Sequence, residues 1–336
     1  VREERNFQLV RIKLWGTRGS LPHALTQDGF IRRVNALAAK ASSKGLKTID
    51  EFVRALASPD LAEVVHFGGN TTCSEISEGL VSLFVDSGTG ITDACYKSMA
   101  EGRKDFHIFQ THMHWDHIMG LPFFVPIYIP GNKVTIYHVH SNAPDYIRIL
   151  FNGVNFPVKW SDLSANIEFK HIKLYEPLQF GPVSVTPFVL DHPGGSFGYR
   201  FECRGKSLAI GVDSEFKRIT AKELGKDLPF YQNLDLLVFD AQYEMDELAS
   251  RFDWGHSSPP IGVDLALREG IRNLVLTHHD PRSLPDKCAQ MVEHARIHCT
   301  QHIAAYSELW NKLGQPTGPK ILSAYDGLEI DLHSAS

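Results

Sequence analysis

The stretch "HMHWDHI", residues 112–118, follows the apolar run "FHIFQT" and precedes "MGLPFFVPIYIP". It crowds His112, His114, Asp116 and His117 together. On a strand, His112, His114 and Asp116 would share one face and His117 would point away; on a helix, His112 and Asp116 would align and His114 would not. Only a loop running from a strand end into a helix start lets all four converge, and then on something small. Neutral imidazole nitrogen and carboxylate oxygen are ligands that Zn²⁺, Mn²⁺ or Fe²⁺ accept. A chance polar surface loop fits less well, because Trp115 sits inside the cluster and an apolar strand leads into it.

One loop seldom completes a metal site, so other segments should contribute. "FVLDHPGG" offers His192, "LAIGVDSE" offers Asp213, and "LVLTHHDP" offers His278 and His279. Each follows an aliphatic run, where the edge of a sheet delivers side chains to a common rim. Singly they are weak: Asp213 alone reads as a turn or helix N-cap residue, and a lone His192 as structural. Together with the 112–117 loop they point to a metal centre.

Composition removes several function classes. A chain of 336 residues with 43% hydrophobic and 22% charged residues reads as globular, with ample capacity for a core. A formal net charge of -5 gives no footprint for nucleic acid or anionic membrane. No apolar run approaches the ~20 residues needed to span a bilayer, and "VREERNFQLV" does not read as a signal peptide. Cys73, Cys95, Cys203, Cys288 and Cys299 are odd in number and lack CxxC spacing. A disulfide framework and a thiolate metal site are therefore not expected, and a cytoplasmic setting is.

The chain reads as strands alternating with loops and occasional helices. "FQLVRIKLWG" alternates apolar and polar residues before the turn "GTRGSLP". "TTCSEIS" and "LVSLFVD" follow, joined at "EG". "FHIFQT", "KVTIYHV", "IEFKHIKL", "VSVTPFVL", "FGYRFEC", "SLAIGVD", "LDLLVFD" and "NLVLTH" continue the pattern, and "ILSAY" and "GLEIDL" close it. Several are almost continuously apolar, as expected of strands buried on both faces. Helices are expected at 91–102, 214–225, 259–269 and 285–311; in 259–269, Pro259 and Pro260 suit the first turn and Gly270 the stop. Residues 31–65 carry helix patterning between two strands, with Ile31, Val34, Leu37, Ala38 and Ala41 on one face. Thr48 and Glu51 form a capping box there, and "SPD" starts a short third turn. A helical hairpin packed on the body is the simpler expectation, a lid over the site the sharper one. Six Lys/Arg against four Asp/Glu in 31–65 make no nucleic-acid arm. The architecture expected is α/β (α+β), a sandwich of two mixed sheets with helices outside.

The motifs "GTRGSLP", "GGNTTCSEI", "LFVDSGTG", "THMHWDHIMGLPFF", "HPGGSFGYR", "GVDSE", "WGHSSP" and "LTHHDP" resemble those of the metallo-β-lactamase-fold hydrolases. The nearer likeness is to the branch of tRNase Z, the tRNA 3′-processing endonuclease, and its related phosphodiesterases. It runs from about residue 10 to 330, with 31–65 as an insertion in a single αββα domain spanning 1–336. The resemblance implies a dinuclear site, with Zn²⁺ first and Mn²⁺ or Fe²⁺ as alternatives. His112, His114 and His192 would hold one metal, Asp116, His117 and His278 the other, and Asp213 would bridge. His279 is the fallback for His278. Asp86 in "LFVDSGTG" would fix the histidine loop. Asp116 would also orient the nucleophilic water. His256 in "DWGHSSP" matches the phosphodiesterase branch's non-ligand histidine, a proton donor or oxyanion stabiliser; the other reading makes it a helix-cap neighbour. Arg18, Asn70 and Thr71, in the Gly-rich turns, would contact substrate or simply form those turns.

Two divalent metals ~3.5–4 Å apart generate hydroxide at neutral pH and clamp the oxygens of an in-line displacement. The expected function is therefore a dinuclear metal-dependent hydrolase. A metal-bridging hydroxide would attack a small-molecule or cyclic-nucleotide phosphodiester, and His256 would assist the leaving alkoxide. A tRNase Z-like endoribonuclease and a lactone or thioester hydrolase are the alternatives. An extended basic arm to grip RNA is missing, and no partner region for di-iron redox chemistry is evident. The partner expected is a small phosphodiester or nucleotide, without membrane, and a homodimer is left open.

Overall fold

The computed structural model describes residues 10–56, 68–312 and 317–332. Two seven-stranded sheets share one plan. The first contains β1 (Val10–Gly16), β2 (Cys73–Glu78), β3 (Val81–Val85), β4 (Asp105–Gln110), β5 (Lys133–His138), β6 (Asn166–His171) and β14 (Glu329–Leu332). Its order is β14-β1-β2-β3-β4-β5-β6. The second contains β7 (Leu178–Phe180), β8 (Val183–Leu190), β9 (Ser196–Cys203), β10 (Lys206–Gly211), β11 (Leu236–Asp240), β12 (Asn273–Thr277) and β13 (Lys320–Ser323), ordered from β13 back to β7. In each sheet three antiparallel pairings give way to three parallel ones, at β3 in the first and β10 in the second.

Alternation along the strands explains the layering. Leu83 and Val85 of β3 face the other sheet while Phe84 faces outward; Phe109 of β4 points inward and Ile108 outward. In β11, Val238 joins the core between the sheets, while Leu237 and Phe239 pack outward. With both faces apolar, each sheet needs a helical cover. The first takes α3 (Ile91–Ala100), α4 (Ala143–Ile149) and two 3₁₀ turns at 121–128. The second takes α5 (Pro259–Glu269) and α6 (Pro285–Ala305), which pack on each other and on β11–β13. The result is the αββα sandwich expected from the pattern.

Several local expectations need correction. The helix expected over 214–225 is a single turn, Ala221–Leu224, followed by a 3₁₀ segment, Gly225–Phe230. Asp213 and Phe216 have φ of 61° and 51°, and Arg218 is tied to Asp191 and Asp227, so the preceding chain cannot coil. The 285–311 helix is interrupted at Tyr306 and resumes as α7 (Ser307–Lys312). In the insertion, α1 (Gln27–Ser43) starts at the Thr26 cap and α2 (Ile49–Leu56) at the expected box of Thr48 and Glu51. The buried stripe of α1 is Arg33, Leu37 and Ala41, whereas Ile31 and Val34 are exposed. The turn expected at "SPD" lies outside the described residues. By contrast, α5 spans the expected range, with Gly270 at φ 71° stopping it.

Gly262 of α5 lies so close to Phe239 that an added Cβ would come 2.8 Å from the ring. Phe239 is fully buried there, so Phe239→Ala should lower the unfolding free energy by about 3–5 kcal/mol. Leu80→Ser, at a fully exposed turn, should change it by about 0.5 kcal/mol or less. Denaturant titration of the two variants checks the contrast.

Candidate functional site

The site forms where the carboxyl ends of strands from both sheets meet. β4 ends at Gln110, and the chain bends at Thr111 before His114, the extended N-cap of a single helical turn, Trp115–Ile118. Asp86, Asp213 and His278 each follow directly or within two residues of β3, β10 and β12, and all three have positive φ, 64°, 61° and 61°. Such backbone is costly for residues with a side chain and persists only where the surroundings enforce it. Here Asp86 N–H donates to Phe109 O, Ser87 N–H to His117 O, and Asp213 N–H to an Asp240 carboxylate oxygen.

Asp213 is the centre of the arrangement. Its Oδ2 lies 3.2 Å from His112 Nε2 and 3.7 Å from His192 Nε2, and His192 Nε2 is 3.1 Å from His114 Nδ1. Its Oδ1 lies 2.8 Å from His278 Nε2 and 3.3 Å from His117 Nε2. Asp116 Oδ2 completes that second group, 3.1 Å from His278 Nε2 and 3.4 Å from His117 Nε2. The seven residues thus fall into two sets that share one carboxylate: His112, His114, His192 with Asp213, and Asp116, His117, His278 with Asp213.

The donor set suits divalent cations. His112 Nε2, His117 Nε2 and Asp213 Oδ1 are buried without a hydrogen-bond partner among the described residues, an arrangement costly for polar groups that bind nothing. The opposite ring nitrogens are held: His117 Nδ1 by Asp86 Oδ2 at 2.8 Å, His112 Nδ1 by Thr111 Oγ1 at 3.0 Å, and His192 Nδ1 by Gly255 O at 3.0 Å. That is how metal-ligating imidazoles are oriented.

A family model described as "Beta-lactamase superfamily domain" matches residues 96–279, more than half of the chain. The chain belongs to the β-lactamase superfamily. Ribonuclease Z of Lactococcus lactis subsp. lactis is 24% identical over 256 residues, 63% of this chain and 82% of that protein. The metallo-β-lactamase fold protein YhfI from Bacillus subtilis superposes with a TM-score of 0.64 at 15% identity, covering 97% of this chain and 100% of the other. A diphosphatase of the PhnP family superposes with a TM-score of 0.57 at 17% identity, covering 96% and 98%. These likenesses show the metallo-β-lactamase fold, as the motifs implied. The chain is accordingly a superfamily hydrolase with a metal-binding cluster.

The electrostatics of this superfamily cluster follow from burying carboxylates among imidazoles. Burial works to lower the His278 pKa, but Asp213 and Asp116 outweigh it and push the value up to about 10. His117 is likewise raised well above the ordinary range, against burial, by Asp213, Asp116 and Asp86. Burial dominates at His112 and, with His117 beside it, holds that ring neutral. Burial works to raise the Asp213 pKa, but His278 and His117 drive it well below the usual carboxylate range. Without metal, protons on His117 and His278 balance the carboxylates; a bound cation would replace them.

Of the other sequence-derived candidates, Asp86 lies beneath the loop, accepting hydrogen bonds from Thr111 N–H and Thr111 Oγ1. His256 reaches the rim, its ring centroid 5.0 Å from that of His278, and its Nδ1 pairs with Asp240 Oδ2 at 2.9 Å. His279 turns away: its Nε2 lies 3.1 Å from Ala324 O. Arg18 is fully buried, and its guanidinium donates to the carbonyls of Gly68, Asp280 and Ser283. Asn70 bonds Asp93 and Thr89, and Thr71 Oγ1 accepts from Thr89 N–H. For all three these bonds fit the turn-forming role. Two residues escaped the sequence reading. Asp240 ends the strand "LDLLVFD" as Asp86 and Asp213 end theirs, a signal that was available. His140 sits on the loop after β5 and lines the cavity at His112 and His114.

Two outcomes are expected. At Gly255, with φ of 85°, a Cβ would fall 2.0 Å from His192 Nδ1, so Gly255→Ala should weaken metal affinity by about 10–100-fold, read by elemental analysis after dialysis. In chelator-treated protein, the raised His278 pKa contributes stability that is fully present below about 6.5 and lost as pH rises toward about 10. The thermal midpoint should fall across that window, and zinc should flatten the slope.

Proposed function

We propose that this chain is a dinuclear, zinc-dependent phosphodiesterase acting on a small-molecule or nucleotide phosphodiester. The observation that carries the reading is Asp213, shared between two histidine sets; the His256–Asp240 pair forms a third group with Asp213 and His278 at the same rim and lies outside the first two. His112, His114 and His192 would hold one ion, and Asp116, His117 and His278 the other. Two such ions, when bound, supply Lewis acidity toward phosphoryl oxygens and make water nucleophilic at neutral pH.

The protein's own groups supply the rest. The Ser20 N–H donates to Asp116 Oδ2 at 2.8 Å and fixes the carboxylate that would orient the attacking water. Water oxygen bonds to phosphorus and the ester P–O bond on the opposite side breaks; one water proton stays on the product phosphomonoester and the other returns through solvent to His256, which protonates the alcohol. His256 gives its Nε2 proton to the departing alkoxide while Asp240 holds Nδ1–H in place. The names of the similar ribonuclease Z and diphosphatase both denote cleavage at phosphorus, which supports this choice of bond. The ribonuclease Z likeness keeps an RNA substrate as a second reading. The net charge of -5 and the near-balanced insertion weigh against it.

Turnover of bis-p-nitrophenyl phosphate and a cyclic nucleotide, with no cleavage of a tRNA precursor, is the expected result. RNA cleavage alone would favour the endonuclease, and bound metal without diester turnover would favour a lactone or thioester hydrolase. His256→Ala should lower kcat by about 10²–10⁴-fold on esters with alkyl leaving groups. The loss should be much smaller on p-nitrophenyl esters, whose leaving group departs without a proton, and metal content should be unchanged. An equal loss on both would remove the proton-donor role.

A further inference from the structure

Two cavities meet beside the cluster. One, of about 390 Å³, is lined by His112, His114, His140 and Gly195. The other, of about 480 Å³, is lined by Met113, Trp115, Phe123, Tyr146, Ile149 and Phe156. Met113 and Tyr146 line both, so the second cavity adjoins the first. Met113 and Trp115 also alternate along the chain with His112, His114 and Asp116, which fixes the apolar wall to the metal-binding loop.

The wall is unusual for a surface that meets water. Trp115 is 67% exposed, Phe123 60% and Ile149 61%, and Phe123 and Phe156 meet edge to face with centroids 5.4 Å apart. Scattered exposed apolar residues need no explanation, but a contiguous set lining one concavity does. Among the described residues that line it there is no Lys or Arg to grip a further phosphate. The polar ones are few: Thr89 Oγ1 is already engaged with Thr71 N–H and Asn70 Oδ1, and Asn155 lies at an exposed turn. A nucleobase placed here would leave its donors and acceptors unmet, whereas a hydrocarbon would lose only water.

We infer that this cavity receives an apolar ester group, so that the substrate is an amphipathic phosphodiester carrying a hydrocarbon or plain aryl group on phosphorus. The inference rests on the phosphodiesterase reading and narrows it. With the phosphate at the histidine cavity, the ester group would run across Met113 and Tyr146 toward Phe123 and Ile149.

The test uses the zinc-loaded full chain and three diesters with one leaving group, below micelle-forming concentration: methyl p-nitrophenyl phosphate, octyl p-nitrophenyl phosphate and thymidine 5′-(p-nitrophenyl phosphate). The octyl ester should exceed the methyl ester in kcat/KM by at least about tenfold, mainly through KM, because several methylenes leave water. It should also exceed the nucleoside ester. Phe123→Ala and Ile149→Ser should each reduce the octyl-to-methyl ratio by at least about fivefold, and Phe123→Leu should preserve it. An octyl-to-methyl ratio near unity, a preference untouched by both variants, or a preference for the nucleoside ester would overturn the inference while the phosphodiesterase reading stood. Turnover of none of the three would remove both.

Discussion

The interaction on which this structure turns is the burial of one carboxylate, Asp213, among four imidazoles. Its two oxygens face opposite groups of histidines, and among the described residues none satisfies Oδ1 by an ordinary hydrogen bond. A buried charge so placed is tolerable only with counter-charge in contact, either protons on the imidazoles or cations between them. The same requirement explains the strained backbone. Asp213 and His278 adopt left-handed conformations where the strand ends and the side chain enters the cluster, and Asp86 does so where its side chain supports the histidine loop from beneath.

The two sheets repeat this solution. β3 and β10 stand at the same place in their sheets, where antiparallel pairing changes to parallel, and a Val-Asp-Ser sequence lies at the end of each, at 85–87 from the last residue of β3 and at 212–214 just after β10. Asp86 nonetheless lies beneath the histidine loop and Asp213 within the cluster. The neighbouring strands differ in the same way: β4 leads into three histidines and Asp116, whereas β11 ends in Asp240, which bonds His256. One backbone plan thus carries cluster residues after one strand of each sheet and a supporting carboxylate after its neighbour.

Much of this was legible in the sequence because the relevant signals are local. Period-two alternation marked the strands, and residues directly after apolar runs marked the rim, so His192, Asp213 and His278 stood out. Proline and glycine at either end delimited α5. What was not legible depended on contacts between distant segments. The register of α1 is set by what lies beneath Arg33 and Leu37, and the uncoiled chain after Asp213 by the ties of Arg218 to Asp191 and Asp227. The apolar cavity is assembled from three separate stretches, near 113–123, 146–150 and 155–156, none of which is distinctive alone.

The cluster draws His112, His114, Asp116 and His117 from one sheet and His192, Asp213 and His278 from the other. It therefore acts as a clasp across the seam of the sandwich, in addition to any role in chemistry. Ion occupancy would then be linked to the mutual docking of the sheets. A small slip between the layers, too slight to melt a strand, would still open the clasp, and loss of bound ions would be its earliest sign.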